Sequence, residues 1–327
     1  MAAFSYLVGV DENGLGARLG PLVVTGVLAK ADDLGRRALS RKLPASVRAD
    51  LDDSKRLVSH SDVALGEAWA RAVLPEQIET PDQLLEHLLY QGQASLSAIC
   101  PDHVRPQCWG TTSEAFCAEP ALLKRVQKHL TWFRERGVEV RRAMTHVQCT
   151  KRLNDARAGG RNRFVADLHA MEDLLLRLRA EATGNVLAVC GKVGGIGSYG
   201  KFFGPLSNHL HAVIEEGKAL SAYHFPKLGE VRFLRDADAE EPLVMLASLI
   251  GKYVRELLMA RIARFYPEPG APAPSGYHDP ISHAFVLRTA LLRKSQSVPD
   301  TCFERERDEA ADRPGARERG EQGAAEV

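Results

Sequence analysis

The sequence predicts an α/β protein, a sheet with helices packed on it, and three observations lead there. Apolar, β-branched runs over 6–10, 20–29 and 185–190 read as buried strands bounded by glycine or acidic residues. Phe164, Leu168, Met171, Leu175 and Leu178 recur at helical spacing over 161–181, directly ahead of the third run. Helix followed by apolar strand is the alternation of a layered α/β domain. At 327 residues, with 45% hydrophobic and 26% charged side chains, the chain has an ordinary globular composition and the length for one large domain or two small ones.

The same composition excludes several classes. A formal net charge of +1 gives no global basic field, so any nucleic-acid surface has to be local. No apolar run approaches the roughly 18 residues of a membrane span. Met1-Ala2-Ala3-Phe4 lacks a basic-then-apolar leader, so a cytoplasmic location and no membrane contact are expected. The cysteines at 100, 108, 117, 149, 190 and 302 are sparse and irregular, as reduced thiols are. Cys100, His103, Cys108 and Cys117 lie near one another, but their spacing fits no common zinc motif.

Taken in order, the first strand ends abruptly in Asp11-Glu12, with Gly14, Gly16 and Gly20 just beyond and a second strand to Ala29. Two adjacent carboxylates ending a core strand are costly unless cations neutralise them, and glycines there let the backbone bend or approach a ligand. A plain hairpin with solvated turn acids is the alternative on this stretch alone. Residues 31–50 start a helix, and the polar, basic Asp53-Ser54-Lys55-Arg56 leads into another over 59–72, where an ordinary helix cap reads equally well. Helices follow over 82–98 and 119–136, with a strand over 138–147; 99–150 reads as an inserted elaboration on the main domain. After the strand to Cys190 comes a glycine-rich loop to Gly200 that matches neither phosphate-binding pattern. A strand over 230–236 ends in Asp236 and Asp238, read as one strand face, and feeds an apolar helix over 243–265. Pro- and Gly-rich 267–280 and a last helix over 281–292 complete a domain of 1–297. The charged stretch 298–327, poor in large apolar residues, reads as a disordered tail.

Asp11, Glu12 and Asp238 thus stand at separate strand ends. Converging carboxylates suit hard divalent cations such as Mg²⁺ or Mn²⁺, and such sites serve phosphodiester hydrolysis. On spacing alone, an acid-lined set of turns without metal reads as well.

The motifs add a resemblance. Asp11-Glu12-Asn13-Gly14-Leu15-Gly16, with Gly20-Pro21 beyond, resembles the opening of the type 2 ribonucleases H, the ribonuclease HII and HIII family. Asp53-Ser54-Lys55-Arg56-Leu57 is similar to its Asp-Ser-Lys-Lys-Leu motif. The stretch from Ala247-Ser248 to Lys252, Arg255 and Met259 is similar to its Ala-Ser…Lys…Arg…Met helix, with Asp238 where its last metal-binding Asp precedes that helix. Ser275-Gly276-Tyr277-His278-Asp279-Pro280 resembles a fifth segment, and residues 161–175, with Asn162 and His169, look closer to the HIII branch.

The resemblance implies a ribonuclease H-like mixed sheet flanked by helices, and endonucleolytic cleavage of the RNA strand of RNA–DNA hybrids with Mg²⁺ or Mn²⁺. Asp11, Glu12 and Asp238 would be catalytic and metal-binding. Gly14, Gly16, Ser54, Lys55 and Tyr277 would bind the hybrid. Two departures stand out. The family's third carboxylate ends a strand at Val-Asp-Gly, whereas this chain has Val189-Cys190-Gly191, which puts a soft thiol, Cys190, at the acid's position. The family's Gly-Arg-Gly is Gly14-Leu15-Gly16 here, without the cation. The departures leave a second expectation beside the nuclease: a catalytically inactive paralogue that binds nucleic acid or a protein partner on the same scaffold.

Overall fold

The computed structural model describes residues 5–74, 77–194, 196–267 and 269–306. Seven strands make one sheet: β1 (Tyr6–Asn13), β2 (Leu22–Ala31), β3 (Val138–Gln148), β4 (Val186–Gly191), β5 (Ala212–Glu216), β6 (Leu220–Phe225) and β7 (Gly229–Leu234). Their order is β3-β2-β1-β4-β7-β6-β5. β1 and β4 run parallel, as do β4 and β7, and every other pair is antiparallel. The sheet is therefore mixed and flanked by helices, the α/β fold class the sequence predicts.

The parallel centre is apolar on both faces because helices cover both. One face carries the helix Arg163–Ala180, which connects β3 to β4 through a short preceding helix (Thr150–Ala158) and buries Leu168, Met171, Leu174, Leu175 and Leu178 against Val8, Val10 and Ala188. The other carries the long helix Pro242–Phe265, buried nearly all round beneath the helices Ala64–Ala72 and Pro120–Arg134. Glycine sets how close that helix sits. A Cβ on Gly9 would lie 2.3 Å from the Leu243 carbonyl carbon, and one on Gly251 would lie 2.3 Å from Asn13 Oδ1. Any side chain at either position would push the helix off the end of β1.

Three expectations change. Residues 138–148 are no part of an elaboration: β3 pairs with β2 along its whole length and forms an edge of the sheet. The stretch 82–98 is two short helices, Pro81–Leu88 and Gln93–Ser97, divided at Gly92, whose φ is 71°. Packing also continues past 298. Val298 and Phe303 are buried with Tyr266 and Phe285, and Leu19 pairs with Glu304 as an isolated β-bridge. A few apolar residues suffice because they meet a ready-made patch at the end of the long helix. Residues 307–327 of the expected tail lie outside the described residues. Among the described residues, no helix is long and apolar enough to cross a membrane.

Candidate active site

At the C-terminal end of β1, next to the start of the long helix, lies a cleft of about 230 Å³. Asp11, Glu12, Gly14, Gly16, Ser54, Lys55, Asp238 and Tyr277 all line it. These are the eight residues the sequence singled out, brought together from four separate segments.

Asp11 and Glu12 occupy the last turn of the β1 pleat and so face opposite ways. Asp11 is only 6% exposed, and burial lifts its carboxyl well above the usual carboxylate range. The charges of Glu12 and Asp238 push the same way, while a hydrogen bond from Ser248 and the Lys55 ammonium oppose them. Glu12 is raised first by burial and then by a different acid, Asp167. Asp238 sits in the helical turn Ala237–Glu240, and its Oδ2 accepts from Lys55 Nζ at 2.8 Å. That bond holds the lysine's pKa above its ordinary value. Asp236 does not share a strand face with Asp238, because β7 stops at Leu234. Asp236 takes a left-handed φ of 58° and carries an exposed side chain beside Arg235. The sequence pattern could not show that two acids two residues apart would be divided by a turn.

The segments are tied to one another. Asp53 caps the turn Ser54–Leu57, the Ser54 hydroxyl meets that of Ser248 at 2.8 Å, and Lys252 Nζ donates to the Ser54 carbonyl. Arg255 is 1% exposed, donates to Glu256 and to the Ser275 carbonyl, and lies 4.5 Å from the centre of the Tyr277 ring. Gly14, at φ 87°, leaves room for Arg255: a Cβ there would lie 2.4 Å from Arg255 Nε. Ser248, Lys252 and Arg255 were legible only as motif members; their places in the cleft are structural information.

Cys190 is not among the cleft residues. It is completely buried in the apolar layer under Arg163–Ala180, and burial pushes its thiol far up, with Asp167's charge adding to that. The neighbouring residue faces the acids instead. A Cβ on Gly191 would lie 2.9 Å from Asp11 Oδ1 and 3.3 Å from Glu12 Oε2. Cys190 pairs with Val10 in the parallel register and follows that residue into the core, rather than facing both acids as expected; the backbone position that faces both is 191.

The glycine-rich loop after β4 is tied to the strands beside it. Tyr199 stacks on Phe233 at 3.9 Å, and Lys192 Nζ is held by Ser221 on β6. The six cysteines are free thiols. From the C-terminal segment, half-buried Arg305 reaches the turn after β1, with Nη1 donating to the Gly14 carbonyl at 2.6 Å and Nε to the Gly20 carbonyl at 2.9 Å. Burial lowers its pKa to about 9.

The donor set fits a hard divalent cation: carboxylate oxygens from two segments, desolvated and mutually repelling, with an ammonium already drawn to one of them. Among the described residues no group of three or more His, Cys, Asp or Glu side chains is placed to hold a metal ion. Holding an ion would require Asp238 to exchange Lys55 for it.

No protein-family model matches the chain, and no curated protein does. Solved structures do. A complex of PCNA with ribonuclease HII from Archaeoglobus fulgidus is similar at 16% identity and a TM-score of 0.42, covering 93% of this chain and 98% of that one. A Bst ribonuclease HIII in complex with Mn²⁺ is similar at 13% identity and 0.45, over 91% of this chain and 65% of that one. The ribonuclease H2 of Pyrococcus horikoshii is similar at 14% identity and 0.38, over 98% and 100%. Likeness at this level assigns no family to the chain; its own fold is a mixed seven-stranded sheet between helices.

Proposed function

We propose that the protein is a divalent-cation-dependent endonuclease that cleaves the RNA strand of RNA–DNA hybrids in the cytoplasm, with Asp11, Glu12 and Asp238 as its acid set. The observation that carries this is the convergence, in one cleft, of those three acids with Lys55, the Gly14–Gly16 backbone and Tyr277. When bound, Mg²⁺ or Mn²⁺ would supply positive charge to the scissile phosphate and lower the pKa of the attacking water. The chain's own residues do the rest. Asp11, Glu12 and Asp238 would hold the cation. Lys55, freed from Asp238, is placed to take a phosphate oxygen. Gly14 and Gly16, without side chains, let the backbone approach the sugar edge, where a ribose 2′-hydroxyl distinguishes RNA from DNA. Tyr277, 41% exposed above the buried Arg255, offers a ring for stacking.

One observation favours the inactive paralogue: Gly191, the backbone position facing Asp11 and Glu12, carries no carboxylate. A labelled RNA–DNA hybrid incubated with the full chain in Mg²⁺ and in Mn²⁺ separates the readings. The nuclease reading expects cation-dependent cuts in the RNA strand that Asp11→Asn abolishes. Hybrid binding without cuts in either metal would replace it with the binding paralogue.

A further inference from the structure

Behind the cleft, on the sheet face covered by Arg163–Ala180, lies an acid that no sequence motif marks. Asp167 stands in the second turn of that helix, is 0% exposed, and has neither carboxylate oxygen hydrogen-bonded. An unpaired carboxylate removed from water persists in a fold only where a proton or a cation meets it.

The register says which groups it meets. Val8 and Val10 pack under this helix, so the alternation of β1 turns Glu12 to the same face, while Asp11 faces the long helix. Asp167's charge acts on Glu12 ahead of that of Asp238, and Asp11's charge acts on Asp167 in turn. The three acids therefore bear on one another around the end of β1, beside the room that Gly191 leaves next to Asp11 Oδ1 and Glu12 Oε2. Glu172, one turn and a half further along the helix, shows the contrast. Its Oε2 accepts from the backbone amides of Gly204 and Leu206, so only Oε1 of that acid is left unpaired, whereas both oxygens of Asp167 are.

We infer that Asp167 is a further acid of the cation site, supplying from the helix the carboxylate that the end of β4 lacks. The inference rests on the reading of the cleft as a divalent-cation site. A hard oxygen donor on a rigid, buried helix would replace a strand-end donor without any change in the class of ion.

The probe is Mn²⁺, titrated into the full-length chain by calorimetry, with the thermal midpoint followed alongside. Four proteins are compared: the wild type, Asp167→Asn, Asp11→Asn, and Glu172→Gln as a buried acid of the same helix outside the site. The expected result is Mn²⁺ binding by the wild type and Glu172→Gln, and at least tenfold weaker binding by Asp11→Asn and Asp167→Asn. The Mn²⁺-free midpoint of Asp167→Asn should stay level or rise, because an unpaired acid has been removed; a purely structural aspartate would give the reverse. Asp167→Ser, smaller and equally uncharged, carries the same expectation should the Asn variant fail to fold. Unchanged Mn²⁺ affinity in the Asp167 variants, with Asp11→Asn defective, would overturn the role of Asp167 and leave the cleft reading intact. No Mn²⁺ binding by the wild type would overturn both.

Discussion

β1 and β4 lie side by side, parallel and in register, yet their ends present opposite chemistry. β1 finishes in Asp11 and Glu12, one on each face, both desolvated and both driven toward the protonated form. β4 finishes in Cys190, turned into the apolar layer, and Gly191, turned toward the acids with nothing to offer them. The difference teaches that strand parity, more than residue type, decides what a strand end contributes. The motif pattern marked Cys190 as the altered position, whereas the pleat turns the next residue toward Asp11 and Glu12.

The largest effect should come from forcing charge into the apolar layer behind β4. Cys190→Asp would bury a carboxylate among Val8, Val10 and Tyr199, close enough to Asp167 to repel it. An uncompensated buried charge costs about 3–5 kcal/mol, so chemical denaturation in the absence of divalent ions should find the variant largely unfolded or strongly destabilised. A near-wild-type midpoint would mean that the side chain at 190 reaches the cleft after all.

Next comes the buttress behind the β1 turn. Arg305→Ala removes three bonds to the Gly14, Leu15 and Gly20 carbonyls. Bonds from a charged donor contribute about 1.5–3 kcal/mol each, shared here with the cost of burying the guanidinium, so a net loss of about 2 kcal/mol is expected. Hybrid affinity should fall with it as the Gly14–Gly16 backbone loosens. Equal stability in the two proteins would show the segment to be a passenger.

How far the sequence carried can be judged at these same places. The strands β1, β2, β4 and β7 and the two sheet-covering helices were legible because their apolar spacing is set by burial. β5 was not, since every residue in it is exposed and an edge strand without a buried face leaves no period to read. β6 and its turn carried no pattern that stood out either. In the site, eight cleft residues could be named from motifs, but Asp167 looks like one polar residue in an amphipathic helix until its burial is known. The segment 298–306 reads as polar because so few of its residues do the packing.

A smaller effect follows from the far side of the sheet. His146 on β3 is 9% exposed and meets the Tyr90 hydroxyl at 2.6 Å, with Arg152, Arg177 and Asp173 around it. Burial, followed by the two arginines, lowers its pKa to about 4 from an ordinary 6.5. The fold thus holds the neutral ring, while the unfolded chain takes up a proton as pH falls through 6.5. Stability contributed above that pH is lost on the way down to about 4. His146→Gln should flatten the fall of the thermal midpoint over this window; an identical acid limb in both proteins would contradict it.

The smallest change tests the mouth of the cleft. Lys55→Ala removes a side chain 75% exposed, so stability should barely move. If the lysine meets a phosphate, the slope of log affinity for hybrid against log salt should become shallower by about 1. An unchanged slope would take Lys55 out of the interface.

The most direct test returns to the two strand ends. Gly191 has a backbone that L-residues adopt, and the only obstacles to a side chain there are the movable carboxylates of Asp11 and Glu12. Gly191→Asp, titrated with Mn²⁺ beside the wild type, should bind the ion about tenfold more tightly, worth about 1.4 kcal/mol. Its thermal midpoint should drop without the ion and recover with it. Mn²⁺ affinity no better than that of the wild type, with a midpoint that the ion cannot restore, would contradict the reading of this cleft as a cation site with a place for a further acid at position 191.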